Sequence, residues 1–143
     1  MDDRFYPKSL SEAEDYVKRA EICLQSMTIN NVHESALSIH SIASQIEQWS
    51  TYKKRVTEGS FIDDLKLLID VLEHMSLIIA RSINTIYDFR RMLDSQTDIP
   101  FRTQLEYLFT DQNNIIQIVC AYRNILTKLQ EEQNEQTQTE EKK

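Results

Sequence analysis

Apolar side chains recur every three or four residues along most of this chain, and that spacing places them on one face of an amphipathic helix. The pattern predicts a first helix that begins at Ser9 or Ser11, since each serine is followed three residues later by an acid, as in a capping box. The stripe ends at Asn30 and Asn31, so this helix is short. Its apolar members are Ala13, Val17, Ala20, Leu24 and Met27.

The second helix is predicted to extend from a cap at Asn31, with Glu34 three residues later, to Gly59. Gly59 is the only glycine in the chain, and a glycine directly after a periodic stretch is typical of the left-handed residue that ends a helix. Three cations at 53–55 are interpreted as partners of the helix dipole rather than as a patch for nucleic acid or phospholipid. The apolar stripe is Ala36, Ile39, Ile42, Ala43, Ile46, Trp49 and Val56.

The third helix is predicted to begin at Ser60, with Asp63 as its capping acid. Because it follows the second helix closely, the two are expected to be antiparallel neighbours. Its apolar seam has heptad spacing and is interrupted once, by Ser82. The seam consists of Leu65, Leu68, Leu72, Met75, Ile79, Ile86, Phe89 and Leu93.

The fourth helix is predicted to start at Pro100, whose fixed φ suits a first helical turn. Its seam alternates spacings of four and three without interruption, which favours one continuous helix with Gln112 as a lone polar member. A break at Thr110 and Asp111 is the alternative. The seam is Phe101, Leu105, Leu108, Gln112, Ile115, Val119, Tyr122, Leu126 and Leu129.

Residues 130–143 contain no apolar side chain and cannot bury enough surface to offset the entropy of ordering. We therefore expect a disordered C-terminal tail, with a frayed extension of the last helix as the alternative, since Glu, Gln and Lys favour helices. The predicted fold is an all-α antiparallel bundle of four helices, the first short and the others long. Its predicted parts are an N-terminal segment at 1–9, the bundle at 10–130 and the tail at 131–143.

Composition narrows the functional classes. One glycine and two prolines are too few to punctuate a β-rich chain of 143 residues. The formal net charge of −7 disfavours direct binding of nucleic acid or of an anionic membrane. Cys23 and Cys120 are expected to be reduced core thiols, and no signal peptide or membrane span is evident. These features predict an intracellular protein of the cytoplasm or nucleus.

The sequence contains no motif that identifies catalytic or cofactor chemistry. A phosphate-binding loop needs at least two glycines, and His33 and His40 lie about 10 Å apart along a helix, too far to share a metal without other ligands. Asp70 and His74 are spaced as an ion pair on one helix face. Six aromatic residues fall at core spacings: Tyr16, Trp49, Phe89, Phe101, Phe109 and Tyr122. We therefore expect neither a cofactor nor a metal.

Two features favour a binding function. The short first helix leaves part of the groove between the other three uncovered, unless the N-terminal segment around Phe5 and Tyr6 fills it. The third helix also carries Leu67, Val71 and Ile78 beside its heptad seam, which predicts an apolar interface for another chain. The alternative is that the second and fourth helices cover both faces of a central third helix.

These expectations favour a non-catalytic protein–protein interaction module, an adaptor or scaffold subunit of an intracellular complex. Its expected partner is a helix of another chain or a second copy. A small regulatory or inhibitor protein that binds its target is an alternative. In a third reading, an enzyme or small-ligand carrier assembles a polar site from Asp70, His74 and Gln112.

Overall fold

A computed structural model describes residues 10–51, 61–92 and 98–141 of the chain. The described residues form four helices and no strand, which confirms the all-α prediction. Predictions at eight positions lie outside them: Ser9, Lys53, Lys54, Arg55, Val56, Gly59, Ser60 and Leu93. The same is true of the N-terminal segment at 1–9.

The four helices differ in length by almost a factor of three. They are α1 (Leu10–Gln25), α2 (Val32–Ser50), α3 (Phe61–Met92) and α4 (Asp98–Glu141), with 16, 19, 32 and 44 residues. The bundle is therefore built from one pair of short helices and one pair of long ones. Helix α2 covers Val32–Ser50 of the stretch predicted between Asn31 and Gly59, of which residues 52–60 lie outside the described residues.

Helix α2 ends at Ser50 because the last carbonyls there are satisfied by nearby donors rather than by a further turn. The Ser50 hydroxyl donates to the Glu47 carbonyl at 2.9 Å, and the Thr51 hydroxyl donates to the Gln48 carbonyl at 3.1 Å. Tyr122 of α4 donates its phenolic hydroxyl to the Ser50 carbonyl. These donors occupy the acceptors left over at a helix C-terminus, so α2 stops before the predicted Gly59.

The connection from α1 to α2 is held by the side chain of Asn31. Its Oδ1 accepts from the Thr28 backbone amide at 2.7 Å, and its Nδ2 donates to the Ser26 carbonyl at 3.0 Å. The predicted cap residue thus ties both sides of the turn together. The two short helices consequently form a tight antiparallel hairpin.

The helices pack in the cyclic order α1, α2, α4, α3. Contacts are most extensive between α3 and α4, then between α2 and α4, while α1 packs against both α2 and α3. Helices α2 and α3 touch least among these pairs and lie on a diagonal, so the prediction that they are neighbours is wrong. Ten residues separate them, and a chain of that length spans up to about 33 Å, enough to cross the bundle.

The core follows the predicted seams closely. Ser82, the predicted interruption in α3, is buried and donates its hydroxyl to the Ile78 carbonyl at 2.8 Å, which satisfies it within its own helix. The seam of α4 passes Thr110 and Asp111 without a break. The largest fully buried side chains come from three helices: Val32, Ile39, Ile46, Leu72, Met75, Ile78, Ile79, Ile86, Phe101, Leu108 and Ile115.

The polar C-terminal residues continue α4 as far as Glu141, where disorder was expected. Residues 130–135 are all exposed, so this stretch adds nothing to the core. Its helical form follows from the high helix propensity of Glu and Gln in the sequence after Leu129.

Candidate functional site

The predicted interface on α3 does not exist as an exposed surface. Leu67 is 44% exposed, but Val71 and Ile78 are buried, at 5% and 1%. Helix α3 lies between α1 and α4, and these two neighbours cover both of its apolar faces. This arrangement agrees with the alternative of a central third helix covered on both faces, except that α1 takes the place expected for α2.

The alternative polar site is likewise not assembled. His74 Nε2 lies 3.7 Å from Glu21 Oε2 on α1, whereas Gln112 accepts a hydrogen bond of 3.0 Å from the Ser76 hydroxyl at the α3–α4 contact. Positions 74 and 76 of one helix point about 200° apart. Asp70 is exposed. His74 and Gln112 thus serve different helix contacts and share no common cavity.

A different polar cluster lies between α2 and α4. His40 Nδ1 is 2.5 Å from Asp111 Oδ2, and the Asp111 side chain is only 4% exposed. Two lone pairs would repel at this distance, so one proton lies between the two atoms. The imidazole also stacks on the Tyr107 ring, with centroids 4.7 Å apart and planes 13° from parallel.

Glu47 completes this cluster on the next turns of α2. Burial, followed by the neighbouring Asp111 carboxyl, raises the pKa of Glu47 to about 7, against the opposing effect of the Asn114 amide. Burial also raises the pKa of Asp111 to about 6. Burial lowers the pKa of His40. The cluster therefore gains or loses protons close to neutral pH.

Sequence reasoning missed this cluster, although a signal was present. His33, His40 and Glu47 follow one another at intervals of seven on α2, and Gln104 and Asp111 do so on α4. Gln104 Nε2 donates to the His33 carbonyl at 3.2 Å, and the hydrogen-bonded partners across the two helices lie 71, 71 and 72 residues apart. A constant separation means that α2 and α4 run parallel. Two polar heptad stripes of equal spacing indicated such a contact.

The outer face of α4 carries a second heptad row, which we call the outer seam. It consists of Arg102, Glu106, Phe109, Asn113, Ile116, Cys120, Arg123 and Thr127, and all eight residues are exposed. Phe109 is 48% exposed and Ile116 is 45% exposed. The predictions that Phe109 and Cys120 belong to the core are therefore wrong. Phe109 follows the buried Leu108 directly, and one residue turns a helix by about 100°.

The middle of the outer seam is free of exposed acids. Between positions 107 and 130 the only acidic residue is Asp111, which is buried, although the chain contains 23 acidic residues. Along the seam itself, Glu106 and Arg123 flank the uncharged members from Phe109 to Cys120 on the two sides. Arg123 Nη2 also donates to Glu73 of α3, which holds the guanidinium at the edge of the seam.

Both cysteines are free thiols, Cys23 partly buried and Cys120 exposed on the outer seam. Within the described segments, no three His, Cys, Asp or Glu side chains are grouped so that they could hold a metal ion. No described helix is long and apolar enough to cross a membrane. Comparison with protein-family models, curated proteins and solved structures finds no match for this chain.

Proposed function

We propose that this chain is a non-catalytic interaction module that binds a helix of another polypeptide along the outer seam of α4. The observation that carries this proposal is an exposed heptad row, with Phe109, Ile116 and Cys120 in its middle, on a helix whose inner face is already occupied by the core. Such a surface suits an adaptor or scaffold subunit, or a small regulator that works by binding its target.

Heptad spacing favours a helical partner. A row with alternating spacings of four and three keeps its side chains on one line along the helix, and a second helix can follow that line over several turns. Phe109 and Ile116 are about half exposed, so completing the burial of each contributes on the order of 1 kcal/mol. The absence of exposed acids from 107–130 removes charge that would need desolvation.

Asp70, His74 and Gln112 give the enzyme or ligand-carrier alternative no shared site, because they face different neighbours. The proposal also replaces the predicted interface of Leu67, Val71 and Ile78, of which only Leu67 is accessible. The mode of binding predicted from the sequence is kept: a helix of the partner packs lengthwise along apolar side chains of this chain.

A photo-cross-linking side chain at position 116 tests the proposal in cells that express the protein. The expected product is one cross-linked polypeptide of defined mass, identified by mass spectrometry. The same side chain at position 67 is the matched control, since Leu67 and Ile116 are almost equally exposed at 44% and 45%. Equal labelling at both positions, or none at 116, would contradict the proposal.

A further inference from the structure

The charged and aromatic positions of the outer seam find matching partners when its direction is reversed. An axis between Asn113 and Ile116 places Glu106 opposite Arg123 and Phe109 opposite Cys120. Asn113 then faces Ile116, and the outermost positions, 102 and 127, face each other. The row therefore carries both residues of each matching contact, so two copies of it can pair in antiparallel directions.

We propose that the helix bound by the outer seam is α4 of a second copy of this chain, antiparallel and related by a two-fold axis. This inference rests on the proposed function, since it names the partner of the same surface. A two-fold interface uses one patch twice, so each contact between two different residues occurs in duplicate. Each dimer thus gains two Glu106–Arg123 contacts and two Phe109–Cys120 contacts.

Charge selects the antiparallel direction. In a parallel pair, Glu106 would face Glu106 and Arg123 would face Arg123, and like charges at these flanking positions disfavour association. In the antiparallel pair both cations face carboxylates. Arg123 can accept the second carboxylate, because a guanidinium has five N–H donors and Glu73 uses part of them.

The neutral middle of the seam makes self-association compatible with a net charge of −7. Residues 107–130 bring no exposed acid to the contact, and Glu73 beside the seam is paired with Arg123 of its own chain, which limits repulsion between the two surfaces. Cys120 of one copy would lie against the Phe109 ring of the other, a favourable contact between sulfur and an aromatic edge.

The oligomeric state tests this inference directly. Sedimentation equilibrium of the full chain is expected to show a monomer–dimer equilibrium, abolished by Ile116→Glu and unaffected by Leu67→Glu. Both side chains are exposed, and circular dichroism checks that both variants fold. A monomer at every concentration overturns the inference.

Charge reversal tests the direction of pairing. In a Glu73→Gln background, which avoids a new repulsion within the monomer, Glu106→Arg and Arg123→Glu are each expected to weaken the dimer about tenfold. The combination of both is expected to restore it, because each pair keeps one cation and one carboxylate. Failure of the double variant to recover overturns the antiparallel arrangement.

A disulfide test fixes the register. In a Cys23→Ala chain, Phe109→Cys is expected to form an intermolecular bond to Cys120 under oxidation. The two positions are about 16 Å apart along their own helix, beyond the reach of an intramolecular disulfide. The control is the Cys23→Ala chain with Phe109 in place. A disulfide between Cys120 of one copy and Cys120 of the other would indicate a parallel pair and overturn the inference.

The cross-link at position 116 separates this inference from the proposed function. A product of doubled mass that contains only this chain supports both. A cross-linked product with a different polypeptide, together with a monomer in sedimentation, overturns the second copy and leaves the proposed function standing. Absence of any product at 116 overturns both.

Discussion

His40 of α2 and Asp111 of α4 share one proton across 2.5 Å at the parallel contact between their helices. The Asp111 side chain is almost fully buried, and a buried carboxylate is costly unless it is neutralised or hydrogen-bonded. The contact therefore does two things. It fixes the register of α2 relative to α4. It also makes that register sensitive to protonation of the surrounding carboxyl groups.

The pH dependence of stability should change when Glu47 is replaced by Gln. The pKa of Glu47 is raised from 4.5 to about 7 in the folded chain, so between these values the folded state holds a proton that the unfolded state has lost. Stability from this group is therefore present at low pH and falls as pH rises through about 7. Asp111, with its pKa raised to about 6, acts in the same direction, whereas His40 opposes both.

We expect Glu47→Gln to be nearly neutral at pH 4, where Glu47 is largely protonated in both the folded and the unfolded chain and resembles Gln, and stabilising at pH 8. Urea denaturation at both pH values measures the difference. Glu34→Gln, at an exposed position of the same helix, is the matched control and should show no comparable change with pH. A difference in the free energy of unfolding between wild type and Glu47→Gln that is independent of pH would contradict the raised pKa of Glu47.

Tyr122→Phe should destabilise the fold by about 1–3 kcal/mol, because it leaves the buried Ser50 carbonyl without its donor. Tyr107→Phe is the control: that ring is exposed at 44% and keeps its stacking on His40. Its expected cost is within about 0.5 kcal/mol. Chemical denaturation measures the free energy of unfolding of both variants. Equal losses would show that the buried hydroxyl of Tyr122 contributes no more than the exposed hydroxyl of Tyr107.

Ile78→Ala should cost about 2–5 kcal/mol, the range for truncating a fully buried aliphatic side chain. Leu67→Ala, at a position 44% exposed on the same helix, should cost much less. Thermal melts followed by circular dichroism report both. A tolerated Ile78→Ala would mean that α1 and α4 do not cover this face of α3 as the structure describes.

The helix faces were predictable because a periodic apolar pattern leaves few alternatives. Ala13, Ile39, Leu72 and Ile115 all lie where their stripes placed them. Asn31 precedes α2 as predicted, but its side chain bonds back to Thr28 and Ser26 and makes no cap hydrogen bond to α2. The pattern could not say which helix covers which face. That choice depends on the path between α2 and α3, and the sequence offers Gly59 as a stop without showing that the helix ends earlier, at Ser50.

The candidate surfaces were harder to predict for a similar reason. Asp111 was considered as a possible helix break, because a single carboxylate in an apolar helix has no evident role in the sequence. Its role is visible only in the structure, where His40 lies beside it. Phe109 was assigned to the core with the other aromatic residues, whereas its position one residue past Leu108 turns it about 100° away from that buried side chain. The role of Asp111 and the exposure of Phe109 both depend on residues that are distant in the sequence. A single sequence does not show which of those residues become neighbours.

The diagonal relation of α2 and α3 divides the molecule into two helical hairpins, α1–α2 and α3–α4, laid side by side with like directions aligned. Every contact between the hairpins is available equally when they belong to different copies, so hairpin exchange between molecules would preserve the whole core. Exchange between two molecules also costs the entropy of their association, which makes protein concentration during refolding the variable that selects between the two arrangements.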